Sequence, residues 1–139
     1  MKAQRLMIYI ILLILLSLFA TYNILYLLSL EEPATYSVIA NINGDGELGD
    51  ISFNNLTKIN DKTAFIVINY NNYPVKLSYE EKGEVFKYTS IDKITSLKPN
   101  EEKQTYMNIK INDIENRKKE VLTGKLTIYS KKSLFWFFS

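Results

Sequence analysis

The chain has 139 residues, of which 47% are hydrophobic, and it carries 17 basic and 15 acidic side chains for a formal net charge of +2. It contains no cysteine and no histidine, which removes disulfides, the usual ligands of haem, copper, iron–sulfur and zinc sites, and Cys–His or Ser–His–Asp nucleophile systems. All 15 acidic and 15 of the 17 basic residues follow residue 30, so that part has no net charge; neither a cofactor nor nucleic acid is expected as a partner.

The first predicted element is an apolar helix at residues 6–30, a stretch without any charged side chain. At about 1.5 Å per residue it reaches roughly 37 Å, which is enough to cross the roughly 30 Å core of a bilayer. Lys2 and Arg5 precede this helix and Glu31 follows it. The positive-inside rule then predicts that residues 1–5 form a cytoplasmic stub, that the helix binds the lipid bilayer of the cell membrane, and that the rest lies outside.

Two alternatives would give this segment a different mature N-terminus. A cleaved signal peptide fits the charged start, but a cut after Ala20 would place Leu18 where a small residue is required. A pilin-type leader would need processing at Ala3 and would leave Arg5 inside the mature helix. An uncleaved signal anchor is therefore favoured, and a pilin-like filament subunit with the apolar helix as filament core is the alternative function.

After residue 33, apolar and polar residues alternate in short stretches that turn signals separate, which predicts β-strands. The predicted strands are Thr35–Ile42, Leu48–Asn54, Thr63–Tyr70, Val75–Glu81, Glu84–Ser90, Ile91–Leu97, Lys103–Asn112 and Val121–Ser130. The third stretch is almost continuously apolar, which is typical of a central strand. Seven or eight such strands predict an all-β sandwich or small barrel at residues 31–130. Its predicted core includes Val38, Ile51, Phe65, Val67, Leu77, Ile109, Leu126 and Ile128.

Part of this region resembles the extracellular immunoglobulin-like domains of prokaryotes. The resemblance is carried by the stretches FIVINYNNYPVKLSYEEKG, ITSLKPNEEKQTYMNIKI and LTGKLTIYS. In those domains a strand ending in Asn leads into a polar-Pro turn, a Leu-x-Pro-polar-Glu turn opens a long strand, and a Gly-containing strand closes the sheet. The resemblance covers residues 60–130 and implies an immunoglobulin-like β-sandwich. One N-terminal helix before such a sandwich is also similar in layout to archaellum stator proteins.

The segment NGDGELGD carries a candidate calcium site. Asn43, Asp45, Glu47 and Asp50 place oxygen ligands near alternate positions, with glycines between them. The segment is too short for an EF-hand loop and lacks its final glutamate. We therefore expect no metal, and a glycine-rich hairpin with solvated carboxylates is the favoured interpretation.

Three other polar features suggest modification or chemistry. Asn55-Leu56-Thr57 is the only N-x-[ST] triplet, in a predicted outer loop, and makes Asn55 a candidate for glycosylation. Glu80-Glu81 and Glu101-Glu102 are paired carboxylates, but both lie beside predicted turns with nearby lysines, so no enzyme activity is expected. The cluster at residues 117–119 lies between glutamates and predicts an exposed loop.

The C-terminal tail, residues 131–139, ends in five consecutive large apolar side chains. These candidate interaction residues are Leu134, Phe135, Trp136, Phe137 and Phe138. They are too few to span a membrane, so the tail is a core strand, a segment at the lipid interface, or a docking peptide. An odd number of strands would carry it away from the membrane and an even number would return it; the sequence slightly favours a distal or protein-bound tail.

The anchor, the missing catalytic constellation and this tail together suggest a non-catalytic function. We expect a membrane-anchored envelope interaction module or an accessory subunit of a membrane complex. Its partner would be another envelope or membrane protein.

Overall fold

The computed structural model describes residues 2–133, without the side chains of residues 27–29. Two compact units divide after Leu30. The predicted interaction residues of the tail, Leu134–Phe138, lie outside the described part of the chain.

The first unit is a single helix, α1, from Lys2 to Ser29. Its stretch from Lys2 to Tyr26 is long and apolar enough to cross a membrane. Two polar side chains are satisfied within the helix, because Thr21 Oγ1 donates to the carbonyl of Ser17 (2.8 Å) and Asn23 Nδ2 donates to the carbonyl of Phe19 (2.8 Å). Such internal pairing is what a bilayer core requires of polar groups.

The helix starts four residues before the predicted boundary at Leu6. Lys2, Ala3, Gln4 and Arg5 are all good helix formers, and a helix does not need apolar residues to propagate. The apolar run marks the part suited to lipid, whereas the helix itself includes the charged residues before it.

The second unit contains eight strands and two short 3₁₀ helices in its described residues. The strands are β1 (Glu31–Ile42), β2 (Ile51–Leu56), β3 (Asn60–Ile68), β4 (Val75–Gly83), β5 (Thr89–Ile91), β6 (Ser96–Leu97), β7 (Glu102–Lys110) and β8 (Glu120–Lys132), with 3₁₀ helices at Glu84–Lys87 and Ile114–Asn116. They form a five-stranded sheet in the order β2-β1-β8-β4-β6 and a three-stranded sheet in the order β3-β7-β5. The predicted all-β domain with two sheets, as in a β-sandwich, is confirmed.

The core lies between the two sheets and matches most of the predicted set. Six of the eight predicted core residues are buried: Val38, Ile51, Val67, Ile109, Leu126 and Ile128. Phe65 and Leu77 are partly buried and pack against them. The alternation therefore identified the inward face of most strands correctly.

The long pair formed by β1 and β8 organises the larger sheet. The two strands run antiparallel from the Glu31–Lys131 pair to the Ile42–Glu120 pair. β2 joins β1 only from Val38 onward, so the first half of β1 has a neighbour on one side only. That open side explains why Pro33, which has no N–H to donate, is accommodated inside a strand that begins four residues earlier than predicted.

The segment between β1 and β2 is not the hairpin turn that the sequence predicts. β2 pairs with β1 in parallel, with Val38 opposite Ile51 and Ile42 opposite Leu56. Parallel neighbours cannot be joined by a tight hairpin, so residues 43–50 run back along the sheet before β2 begins. Because the chain needs these residues to return, β2 starts at Ile51 and not at the predicted Leu48.

The stretch predicted as a central strand lies at an edge. β3 has one ladder neighbour among residues 2–133, the strand β7. Its side chains are mostly exposed, and only Val67 is fully buried. The apolar run of residues 63–70 therefore does not indicate burial on both faces.

The predicted strand Glu84–Ser90 is replaced by a 3₁₀ helix at Glu84–Lys87 and the short strand β5. Gly83 has a φ of 126°, a conformation that a side chain would oppose, and this breaks the extended chain after β4. The next predicted strand, Ile91–Leu97, is reduced to the two residues of β6.

Candidate interaction surface

The predicted calcium residues engage separate partners in the structure. Asn43 has a φ of 54° and its Nδ2 donates to the carbonyls of Ile114 (3.0 Å) and Arg117 (2.8 Å). Asp45 Oδ1 accepts a hydrogen bond from Asn54 Nδ2 (3.0 Å). The first ties the end of β1 to the loop before β8, and the second ties the loop to β2.

The other two residues of that set also have local roles. Asp50 Oδ2 accepts hydrogen bonds from Ser37 N (2.9 Å) and Ser37 Oγ (3.1 Å). Glu47 contributes its backbone carbonyl to Asn41 Nδ2 (2.9 Å). Within the part of the chain that the structure describes, no three acidic residues are grouped in a way that could hold a metal ion. These hydrogen bonds hold the loop between β1 and β2 against the neighbouring strands.

Asn55 lies near the end of β2 and not in the predicted loop. Its side chain is exposed and its φ is 50°, while the next residue, Leu56, is buried in the core. The exposed amide leaves Asn55 accessible, and its glycosylation stays a prediction.

The paired carboxylates do not converge on a common site. Glu80 accepts a hydrogen bond from the hydroxyl of Tyr129 (2.7 Å) and lies 3.0 Å from Lys82 Nζ, and these contacts lower the pKa of Glu80. Glu101 Oε1 accepts from the backbone N–H of Lys98 (3.0 Å), which closes the turn before β7. The contacts of Glu80 link neighbouring side chains on the surface, and the contact of Glu101 stabilises a turn.

Arg117 is held inside a cluster, in contrast to the exposed loop that the sequence predicts. Its guanidinium donates to Glu120 (2.7 Å), to the hydroxyl of Tyr88 (2.8 Å) and to Asp113 (3.0 Å), and its side chain is 19% exposed. The pKa of Arg117 is raised by these acceptors, and the pKa of Asp113 is lowered by the guanidinium. Lys118 beside it remains exposed.

The three-stranded sheet is divided along its strands into a polar and an apolar half. The polar half contains an open groove of about 480 Å³. It is lined by Asn60, Asp61, Lys62, Tyr88, Ser90, Asn108, Ile109 and Lys110. Only one carboxylate, that of Asp61, lies on this lining.

The apolar half, here called the β3 patch, consists of Ala64, Ile66, Ile68 and Tyr106. Ile66 is 50% exposed, Ile68 38% and Tyr106 37%. Ala64 lies directly opposite Tyr106 in the β3–β7 ladder, and Lys62 Nζ lies 4.8 Å from the centre of the Tyr106 ring. A single exposed isoleucine needs no explanation, but a row of apolar side chains along one strand edge marks a candidate contact surface.

The backbone beside this patch has an unpaired edge, because β7 is the one ladder neighbour of β3 within the described residues. β3 is nine residues long, whereas the other strands at the ends of the two sheets, β2, β6 and β5, have six, two and three residues. Residues 63–69 contain no charge and no proline, the features by which proteins usually protect an edge. β3 is therefore the edge best suited to accept a further strand.

Sequence reasoning missed this surface because it interpreted the signal differently. The stretch is apolar on both faces, with Phe65 and Val67 inward and Ile66 and Ile68 outward. A stretch of that kind can be covered on both faces within its own fold or exposed on one face, and periodicity does not separate the two.

Comparisons with protein-family models, with curated proteins and with solved structures find no match for this chain. The surface itself is therefore the basis for a functional proposal.

Proposed function

We propose that this protein is a non-catalytic, membrane-anchored interaction module, an accessory subunit of an envelope or membrane complex. In this proposal residues 1–5 lie in the cytoplasm, the apolar part of α1 from residue 6 onward crosses the cell membrane, and an immunoglobulin-like sandwich faces outside. The length and apolarity of α1 support the anchor, and the basic residues Lys2 and Arg5 in its first turns, before the apolar stretch, support the orientation.

The single observation that carries the proposal is the β3 patch beside an open edge. An edge strand presents every second N–H and C=O away from its ladder, and an added strand can pair with these groups. The exposed side chains of Ile66 and Ile68 would then contact alternate side chains of the incoming strand. The partner that fits is an extended segment with alternating apolar residues, contributed by another envelope protein.

A second copy of the chain fits this edge less well. Antiparallel pairing of β3 with itself over its full length would centre on Ala64 and place Lys62 of one copy opposite Ile66 of the other. The charged ammonium would then interrupt the apolar row, whereas a partner strand with apolar residues at those positions would continue it.

Site-specific photo-crosslinking in native membranes tests this function. A photoreactive amino acid at position 66 should crosslink to one envelope protein, and the crosslinked peptide should be an extended apolar segment. Position 121 is the matched control, because Val121 is 51% exposed but belongs to the other sheet. Replacement Ile68→Lys should abolish the crosslink from position 66.

Three outcomes would contradict the proposal. Crosslinks from position 66 only to a second copy of this chain would show a homodimer edge. Equal crosslinking from positions 66 and 121 would show that the β3 patch is not specific. A crosslink that survives Ile68→Lys would show that the row of exposed isoleucines does not determine binding.

A further inference from the structure

Polar side chains in the groove of the three-stranded sheet lie in two rows that cross its strands. The first row is Lys62, Asn108 and Ser90, and the second row is Asn60, Lys110 and Tyr88. On β7, Asn108 and Lys110 alternate with the buried residues Met107 and Ile109, so they point away from the core. Neighbouring strands lie about 4.8 Å apart and every second residue about 6.7 Å apart, so the two rows cover roughly 10 by 7 Å.

The amide and hydroxyl groups of these rows are not used to hold the fold together. The side chains of Asn60, Asn108 and Ser90 form no hydrogen bond within residues 2–133. Asparagines elsewhere in the domain do, since Asn43 and Asn69 each donate to two backbone carbonyls. Amides and hydroxyls both donate and accept hydrogen bonds, so the three free side chains suit a ligand that is rich in hydroxyl groups.

The groove also has an excess of positive charge. Lys62 and Lys110 contribute two ammonium groups, and neither forms an ion pair within the described part of the chain. The one carboxylate on the lining, that of Asp61, accepts a hydrogen bond at Oδ1 from the backbone N–H of Lys62 (2.8 Å). Two ammonium groups against one carboxylate favour a ligand with negative charge.

Tyr88 forms a fixed wall of the groove. Its hydroxyl accepts a hydrogen bond from Arg117 (2.8 Å), whose guanidinium carbon lies 4.9 Å from the ring centre. Arg117 is itself held by Asp113 and Glu120, which also balance its charge. A side chain that is fixed before binding loses little conformational freedom when the ligand arrives.

We propose that this groove binds an acidic saccharide, a carboxylate-bearing sugar unit of a polysaccharide. The sugar hydroxyls pair with Asn60, Asn108 and Ser90, and the carboxylate lies near the ammonium groups of Lys62 and Lys110. The volume of about 480 Å³ is within the range of about 300–1,000 Å³ for small-ligand sites. The polar lining disfavours an apolar ligand, whereas a sugar carries polar groups around its whole ring. This site is separate from the β3 patch and does not depend on the protein partner proposed there.

The groove is suited to binding and not to cleavage. Glycoside hydrolysis generally uses two carboxyl groups that flank the scissile bond. Asp61 is the only carboxylate on the lining, so the bound saccharide is released unchanged. The groove would thus attach the module to an acidic polysaccharide.

Calorimetric titration of the full-length protein in detergent tests the proposal. The probes are tetragalacturonate and a tetrasaccharide of alternating glucuronate and N-acetylglucosamine. Each is compared with its methyl ester, which keeps the hydroxyls and loses the charge, and with tetraglutamate, which keeps the charge and has no sugar hydroxyls. We expect at least one acidic saccharide to bind, and both comparison ligands to bind at least about tenfold more weakly.

Two lysine variants locate the binding site. Lys110→Gln removes one ammonium group from the groove, and Lys125→Gln removes one from an exposed position of the other sheet as a matched control. We expect Lys110→Gln to weaken binding about tenfold and to reduce its salt dependence, and Lys125→Gln to change neither. Asn108→Ala should weaken binding without altering its salt dependence. An unchanged melting temperature verifies each fold, and Lys62→Gln replaces Lys110→Gln if that variant does not fold.

Three results would overturn the proposal. The first is that the folded protein binds neither acidic saccharide. The second is that tetraglutamate binds as tightly as the saccharides, because charge alone would then explain the binding. The third is an equal loss of affinity in Lys110→Gln and Lys125→Gln, because the ligand would then not be bound in this groove.

Discussion

The position of two isoleucines in neighbouring strands gives the sharpest test of the sandwich. Ile109 lies in β7, the central strand of the smaller sheet, and is 1% exposed. Ile66 lies in the adjacent strand β3 and is 50% exposed. The same replacement by alanine should therefore have very different effects at the two positions.

The expected cost at Ile109 follows from burial. Ile109→Ala removes atoms that are fully withdrawn from water and leaves a cavity between the sheets, which costs about 2–4 kcal/mol. A domain of this size has a total free energy of unfolding of about 5–15 kcal/mol, so the loss is a substantial fraction. Ile66→Ala leaves no cavity and should change the free energy of unfolding by less than about 0.5 kcal/mol.

Urea unfolding of residues 31–139, followed by far-UV circular dichroism, measures both effects. With a urea slope of about 1–3 kcal/mol per molar, Ile109→Ala should lower the midpoint by roughly 0.7–4 M. Ile66→Ala should leave the midpoint nearly unchanged. A negligible shift for Ile109→Ala, or an equal shift for Ile66→Ala, would refute the assignment of inner and outer faces.

Three further perturbations address individual contacts. Gly83→Ala should destabilise the domain by about 1–3 kcal/mol, since φ is 126° and the added Cβ would lie 2.5 Å from Gly124 Cα; an unchanged melting temperature would contradict this. Asn43→Ala should cost about 1–3 kcal/mol, because two carbonyls lose their donor, and a urea midpoint equal to the parent's would argue against that role. The pKa of Glu80 is lowered first by the Tyr129 hydroxyl and then by Lys82, so its contribution is present at neutral pH and is lost as pH falls through the lowered pKa. Glu80→Gln should therefore flatten the acid side of a plot of urea midpoint against pH; an unaltered acid slope would show that the contact is not stabilising.

The sequence predicted the parts of this fold that depend on local patterns. The apolar stretch at residues 6–30 can be recognised by counting residues without charge, and the structure has a helix that ends at Ser29. Alternation placed Val38, Ile51 and Leu126 on the inward faces because side chains alternate across any strand, whichever neighbour it has.

The errors concern which strands are neighbours. Nothing in residues 43–50 signals that β2 returns parallel to β1, since glycine-rich turn residues suit a hairpin and a crossover alike. The apolarity of β3 predicts a central strand, and local sequence does not reveal that it lies at the edge of its sheet.

In the candidate sites too, the sequence predicts the local chemistry but not the neighbours that fold against it. Asp45 and Asp50 have the chemistry of calcium ligands, but their carboxylates accept hydrogen bonds from Asn54 and Ser37, which lie on β2 and β1. Spacing along the chain could not show those partners. The β3 patch was visible in the sequence as apolar residues, and it became a candidate surface only because β3 has a single ladder neighbour among residues 2–133 and Ile66 and Ile68 are exposed.

Thiol labelling on intact cells tests most directly whether the protein is an anchored module with its sandwich outside. The natural chain has no cysteine, so Lys118→Cys, at an exposed position of the sandwich, and Ala3→Cys, before the apolar run, each introduce the only thiol. A membrane-impermeant maleimide should label the thiol at position 118 on intact cells and the thiol at position 3 only after permeabilisation. Labelling at position 3 on intact cells, with position 118 protected until permeabilisation, would contradict the account.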